Sequence, residues 1–127
     1  MGLDMFASTR KTMPLTPINF DTSEEELADA DLFYWRKHPN LHGWMQRLYV
    51  EKGGSSDPDE FNCVSVVLTA ADLDRLEADV KGNNLPETRG FFFGQSTPED
   101  RPRDLKFIAK ARAAIERGEI VFYHSRW

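Results

Sequence analysis

One stretch, residues 61–82, constrains the fold most, because a strand pattern there runs directly into a capped helix. Its first eight residues, FNCVSVVL, are rich in β-branched side chains, which favour a strand with at least one buried face. Thr69 then stands at a helix N-cap position with Asp72 three residues later. The stretch therefore predicts a strand over 61–68, followed by a helix that ends at Gly82.

A second helix is predicted from the spacing of the apolar residues that follow His38. They recur at the intervals of a single helical face, and they are Leu41, Trp44, Met45, Leu48 and Tyr49. Pro39 fits the first turn of such a helix, because the N–H that proline lacks has no partner there. The run KGGSSDPDE, rich in turn formers, ends the helix.

The N-terminal part of the chain is less regular. Residues 1–10 mix apolar and polar side chains in near-alternation, which predicts a first strand. The acidic run 21–31 contains Ser23 and Glu26 at the spacing of a capping box, so a short helix is predicted there. The same acidic run is equally compatible with a solvated loop.

The C-terminal part alternates loop, helix and strand. Residues 83–104 carry three prolines and two glycines, so they are predicted to be mostly loop, apart from a buried strand in the segment GFFFG, 90–94. Asp104 is expected to cap a last helix that ends at Gly118. Residues 119–127 are expected to form a last strand, with the terminal Trp packed back on the domain.

These elements predict one α+β domain over residues 1–127. Their order is strand, irregular region, helix, strand, helix, loop, helix, strand. The helices and strands do not alternate strictly along the chain. This order favours a small, mainly antiparallel sheet with about three packed helices. A chain of 127 residues fits one domain of ordinary size.

Charge and cysteine content limit the functions that this chain can have. The net charge of −5 argues against broad binding to nucleic acid, which needs a basic surface. The single cysteine, Cys63, excludes an internal disulfide and is expected to be a buried apolar residue. There is no apolar run of the length that spans a bilayer and no secretory pattern in the opening residues, so a cytoplasmic protein without membrane contact is expected.

The candidate ligand site is the segment FYWRKHPNLHGW, residues 33–44. Its polar and aromatic groups suit a small anionic, nucleotide-like ligand, since Arg and Lys bind phosphate, Trp and Tyr stack on a base, and Asn and His add selectivity. A helix that begins near His38 would add the positive end of its dipole. The predicted ligand-binding residues are Tyr34, Trp35, Arg36, Lys37, Asn40 and His42. In the alternative interpretation, the two aromatic residues belong to the core and the two cations lie on the surface.

No catalytic residue, metal site or cofactor is predicted. His38 and His42 could share a helical face, but no Glu stands between them to complete a metalloprotease motif, and a third ligand is missing. Ser65 and Ser125 lack the context of a nucleophile elbow. A small hydrolase or transferase that uses His42 as general base is the remaining enzymatic alternative.

A host protein is the alternative partner to a small ligand. The acidic run 21–31 could occupy the basic groove of a partner, in the way that a nucleic-acid backbone does. An exposed aromatic patch could serve the same purpose. The mixed charged and aromatic surface permits a homodimer without requiring one.

Several short motifs resemble a family of small uncharacterised proteins encoded by bacteriophages, prophages and plasmids. They are MGLDM at the start, YWRK followed by N-x-H-x-W, GFFFG, and an aromatic residue followed by S-x-W at the end. Some members carry the label phosphoglycerate kinase, which this chain is far too short to be. Members usually have Tyr where this chain has Phe6. The resemblance implies an accessory protein of a mobile element in a bacterial cytoplasm, with capture of a host defence signal as one use.

Overall fold

Four strands and three helices follow one another along residues 2–90 and 93–127, the part of the chain that a computed structural model describes. Their bounds are β1 Asp4–Arg10, β2 Leu27–Arg36, α1 Pro39–Glu51, β3 Ser65–Leu68, α2 Ala70–Lys81, α3 Asp100–Glu116 and β4 Ile120–Arg126. A short 3-10 turn, Pro58–Phe61, precedes β3. The sheet is antiparallel in the order β2-β1-β4-β3, so β2 and β3 form its edges. This arrangement confirms the predicted α+β class.

The core lies between one face of the sheet and the helices. Met5, Trp35 and Tyr123 point to this face and are completely buried, in keeping with the alternation of side chains along a strand. Phe107 of α3 packs edge-on against Trp35, with ring centroids 4.7 Å apart. The opposite face of the sheet carries Phe6, which is only partly buried.

The predictions for α1 and α2 are confirmed. Pro39 is the first residue of α1, where its missing N–H is harmless, and the predicted apolar stripe is buried. At the start of α2, Thr69 and Asp72 form a reciprocal capping box. Gly82 follows the last residue of this helix. The helix before Gly118 and the strand after it are also present, and Trp127 packs against the core.

The short helix predicted in the acidic run is wrong. Residues 24–26 form a turn, and Leu27 begins β2, which pairs with β1 along its length. The exposed residues 28–31 hide the strand pattern, because an edge strand can carry charged residues with little cost. Phe33 and Trp35 alternate inward further along the same strand and contact each other at 4.7 Å.

Two further predictions need correction. The last helix begins at Asp100, so Asp104 is not its cap but an interior residue whose side chain is buried. Cys63 is exposed rather than buried, because its backbone has a φ of 63° and β3 begins only at Ser65. The predicted strand over 61–68 is therefore shorter than its composition suggests.

The segment GFFFG is described only in part. Phe91 and Phe92, on which most of the strand prediction depends, lie outside the described residues. Phe93 is buried, but it belongs to a loop, and Gly94 after it has a φ of 72° that few other residues adopt. Among the helices of residues 2–90 and 93–127, none has the length and apolar character needed to cross a membrane.

Candidate functional site

A groove runs across the N-terminal end of α1, where loop residues 83–90 and 93–99 lie beside the helix. It consists of two adjoining cavities of about 650 and 500 Å³, and both are lined by Asn40, Asn83, Leu85 and Ser96. We call this feature the α1 groove. The loop approaches the helix closely at Gly43, since a Cβ there would overlap the side chain of Thr88.

A chain of hydrogen bonds joins Ser96, His38 and Asp104 at the floor of the groove. The Ser96 Oγ lies 2.6 Å from His38 Nδ1, and His38 Nε2 lies 2.8 Å from Asp104 Oδ2. A carboxylate can only accept, so Nε2 carries a proton, and in the neutral imidazole Nδ1 accepts from the Ser96 hydroxyl. We call these three residues the serine–histidine–aspartate array.

Trp35 and Asn40 hold this array from both ends. The indole Nε1 of Trp35 donates to the second carboxylate oxygen of Asp104 over 3.1 Å. The backbone N–H of Asn40 donates to Ser96 Oγ over 3.1 Å, which satisfies one of the open donors of the α1 N-terminus. His38 and Asp104 are 2% and 1% exposed, whereas Ser96 is half-buried and borders both cavities.

The backbone explains how these residues meet. Lys37 has a φ of 54°, which turns the chain sharply from the end of β2 into α1 and directs His38 inward. Asp104 reaches the same point from the second turn of α3, since this helix begins four residues earlier. Ser96 lies in the loop between α2 and α3.

The charged groups of the groove are mixed. Arg89 forms an exposed ion pair with Glu87 over 2.9 Å at one end of the groove. At the other end, Arg101 donates to the backbone oxygen of Lys81 over 2.7 Å. Asp100 also lines this end, 3.4 Å from His38 Nδ1. The groove therefore offers two guanidinium groups without being strongly basic.

The predicted ligand-binding residues lie in three separate places, and only Asn40 lines the groove. Its Oδ1 accepts from the Thr88 backbone N–H over 3.1 Å, which ties the loop to α1. Lys37 is exposed and packs under Gly94, at the rim of the groove.

Tyr34 and Arg36 lie on the opposite face of the sheet. The Tyr34 hydroxyl donates to Asp4 Oδ1 over 2.6 Å, and this hydrogen bond raises the tyrosine pKa. The Arg36 Nε lies 3.4 Å from the same carboxylate oxygen. Trp35 points the other way and is completely buried, so its indole offers no open face to a ligand. This arrangement leaves Tyr34 and Arg36 together on one face and separates them from Trp35, Asn40 and His42.

His42 lies in the core. Its Nδ1 is 2.7 Å from the Tyr123 hydroxyl, and its ring packs on Phe61, Phe93 and Trp127 at centroid distances of 4.9, 5.2 and 4.9 Å. Burial lowers the pKa of His42 to about 3. The side chain is 3% exposed, which leaves it without access to a substrate.

Four residues of the groove escaped the sequence analysis: Ser96, Asp104, Arg89 and Arg101. No local motif marks Ser96, which stands in a loop 58 residues after His38. The sequence predicts Asp104 only as a helix cap, because the start of α3 has no side-chain cap hydrogen bond that would mark it. Within residues 2–90 and 93–127, the His, Cys, Asp and Glu side chains form no group suited to a metal ion.

The chain matches no protein-family model, and no curated protein or solved structure is significantly similar to it. The resemblance to phage and plasmid proteins therefore stays a prediction.

Proposed function

We propose that the chain binds a small ligand with one anionic group in the α1 groove. The observation that carries this proposal is the position of the two cavities, which meet at the N-terminal end of α1 between Arg89 and Arg101. The N-terminal end of a helix attracts anions through its dipole, although here Pro39 has no N–H and the Asn40 N–H already donates to Ser96 Oγ. The first turn of α1 contains no acidic residue that would cancel this effect.

The other groups of the groove restrict the ligand further. Pro39 and Leu85 supply an apolar wall against which the uncharged part of a ligand can pack. Glu87 and Asp100 oppose a second or third negative charge, so a carboxylate or a single phosphate fits better than a triphosphate. This site differs from the predicted one, since Arg89 and Arg101 take the roles that the sequence analysis gave to Arg36 and Lys37.

We expect inorganic phosphate and adenosine monophosphate to shift the amide NMR signals of Asn40, Thr88 and Ser96 in the folded protein. Replacement of both Arg89 and Arg101 with alanine should weaken binding at least about 10-fold, because charge-assisted hydrogen bonds contribute about 1.5–3 kcal/mol each. Titration of the amide signals of the wild type and of the double variant measures this change.

The matched control replaces Arg75 and Arg117, whose ion pairs with Glu51 and Glu119 lie outside the groove. This variant removes the same charge and should bind like the wild type. If both double variants lose the same affinity for the anion, the effect comes from the net charge of the protein, and the proposal is contradicted. Loss in Arg36→Ala/Lys37→Ala with the groove variant unaffected would place the anion at the originally predicted residues instead.

The biological use that we propose follows the family resemblance. A mobile-element protein in a bacterial cytoplasm would gain from removing a small signal molecule of host defence. A groove that holds one ligand with one anionic group suits such a task.

A second candidate function, inhibition of a host protein, is favoured by the position of the acidic segment. β2 is an edge of the sheet, and its residues 28–31 are exposed, with Asp29 and Asp31 among them. Glu24 and Glu25 lie in the turn just before, so a basic partner could contact the turn and the edge together.

If a host protein is the partner, reversing the charge of Glu24, Glu25 and Glu26 to lysine should abolish its co-purification from bacterial lysate. Like charges across an interface cost several kcal/mol, which is more than a transient complex can lose. The control reverses three other glutamates, Glu87, Glu99 and Glu116, and should retain the partner. Retention by both variants would contradict this function.

A further inference from the structure

The geometry points to a second property of the α1 groove: Ser96 is a nucleophile that His38 activates, and the groove is the active site of a hydrolase for small carboxylic esters. A serine hydroxyl within hydrogen-bond reach of an imidazole, with a carboxylate on the other ring nitrogen, is the arrangement that serine hydrolases share on unrelated folds. The two distances of the array, 2.6 Å from Ser96 to His38 and 2.8 Å from His38 to Asp104, place each side chain in its role. The inference rests on the proposed ligand site only for the choice of substrate.

The direction of each hydrogen bond supports these roles. Asp104 accepts from His38 Nε2 over 2.8 Å, so in the neutral imidazole the Nδ1 lone pair faces Ser96 and can take its proton. Asp104 is in turn fixed by Trp35, so it acts as a positioning residue and not as a reacting group. Asp100, 3.4 Å from Nδ1, would stabilise the imidazolium that forms during the reaction.

The groove also offers space and donors around the nucleophile. Ser96 borders both cavities, one of about 650 Å³ and one of about 500 Å³, so an acyl group and a leaving group can lie on opposite sides of it. The side-chain amide of Asn83, which lines both cavities, is the donor available to a developing oxyanion. Arg89 and Arg101 would hold a carboxylate elsewhere on the substrate.

The reaction then runs in two balanced steps. Ser96 Oγ bonds to the ester carbonyl carbon while its proton passes to His38 Nδ1, and the bond to the alkoxy oxygen breaks as the leaving alcohol takes that proton. A water molecule next attacks the acyl carbon and gives a proton to His38. The bond to Ser96 Oγ breaks, His38 returns the proton to Ser96, and the carboxylic acid leaves.

The test uses an alkyl fluorophosphonate, which forms a P–O bond to an activated serine and releases fluoride. We expect one adduct on the intact wild-type protein, mapped to Ser96 by peptide mass spectrometry and absent from Ser96→Ala. His38→Gln should react at least about 100-fold more slowly, the usual effect of a general base. Ser65→Ala is the matched control, because Ser65 lines a separate cavity beside His124, and it should react like the wild type.

The variant Asp104→Asn distinguishes a positioning role of Asp104 in the reaction from a purely structural role. We expect this variant to lower the maximal rate of labelling by about 100-fold while the concentration of probe that gives half of this rate stays unchanged, since the tautomer of His38 is altered and the cavity is not. If the maximal rate stays unchanged and only the probe concentration that gives half of this rate changes, Asp104 has a structural role. If His38→Gln or Asp104→Asn does not fold, labelling of the wild type at Ser96 still decides the inference.

Three results would overturn the inference: no adduct on the wild type, adducts spread over other residues, or an unchanged rate in folded His38→Gln.

A second experiment distinguishes failure of the Ser96 nucleophile from failure of the ligand site. It compares the turnover of 4-nitrophenyl acetate with that of the 4-nitrophenyl monoester of succinate. Faster turnover of the succinate ester, lost in Arg89→Ala/Arg101→Ala, supports both proposals. If both esters turn over at the same rate and this turnover requires Ser96, the result supports Ser96 as the nucleophile and contradicts the anion site. Phosphate binding without labelling supports the ligand site alone.

Discussion

Asp104→Ala should destabilise the folded protein by about 3 kcal/mol, one of the two largest effects that we expect from a single change. The carboxylate is 1% exposed and accepts from the Trp35 indole and from the His38 imidazole. Its removal leaves two buried N–H groups without an acceptor, and the free energy of unfolding of a domain this size is only about 5–15 kcal/mol. Urea unfolding of wild type and variant at neutral pH measures the loss.

Two control variants show whether the loss of stability in Asp104→Ala comes from its buried hydrogen bonds. Asp104→Asn keeps one side-chain oxygen as an acceptor and should lose clearly less than Asp104→Ala. Asp74→Ala removes a carboxylate of the same size from an exposed ion pair with Arg112, and should cost less than about 1 kcal/mol. A loss below about 1 kcal/mol in Asp104→Ala would mean that water replaces the carboxylate and that the array is not a stabilising feature.

The elements that the sequence predicts are those whose signal is local. The apolar stripe from Leu41 to Tyr49 lies within one helix, and so does the capping box of Thr69 and Asp72. Neither depends on residues far along the chain. The last strand was predicted for a similar reason, because Gly118 separates it from α3 in the sequence itself.

The strand β2 could not be predicted in this way. Its first half is acidic and exposed, as suits a sheet edge, and its identity depends on pairing with β1. The error also affected the candidate site. Once Phe33 and Trp35 are known to lie on a strand, alternation places Trp35 inward and Tyr34 outward, so these two aromatic residues do not share one face. The alternative interpretation, with both aromatic residues in the core, agrees with the buried Trp35 but not with Tyr34, which is exposed, because their directions depend on the sheet.

The serine–histidine–aspartate array shows why a site can be invisible in one sequence. Ser96 and Asp104 are 58 and 66 residues from His38, and the three come from a loop, a helix and the residue before another helix. No spacing rule joins them, unlike the i and i+4 relation of His38 and His42. Those two imidazoles belong to different environments, since only His38 lines the groove.

The surroundings of His42 lead to the second large effect, which depends on pH. Its ring is enclosed by Phe61, Phe93 and Trp127, and its Nδ1 is paired with the neutral hydroxyl of Tyr123. Charging the imidazole would place a cation among apolar rings, which is why burial lowers its pKa to about 3. In the unfolded chain the same group should titrate near 6.5.

The sign of the effect follows from proton counting. Between about pH 6.5 and 3, the unfolded state binds a proton on His42 that the folded state does not, so stability falls as the pH falls. From pH 7 to pH 5 the loss should be about 2 kcal/mol, at about 1.4 kcal/mol per pH unit below the unfolded pKa. Burial also lowers the pKa of His124, which adds a contribution in the same direction.

His42→Gln separates the two histidines. Glutamine does not titrate, so this variant should be less stable than the wild type at pH 7 but lose about 2 kcal/mol less between pH 7 and pH 5. His124→Gln, the matched control, should remove only the smaller contribution of that histidine. Urea unfolding curves of the three proteins at both pH values measure the difference. If His42→Gln loses as much stability on acidification as the wild type, the imidazole is already solvated, and the enclosed position among the aromatic rings is wrong.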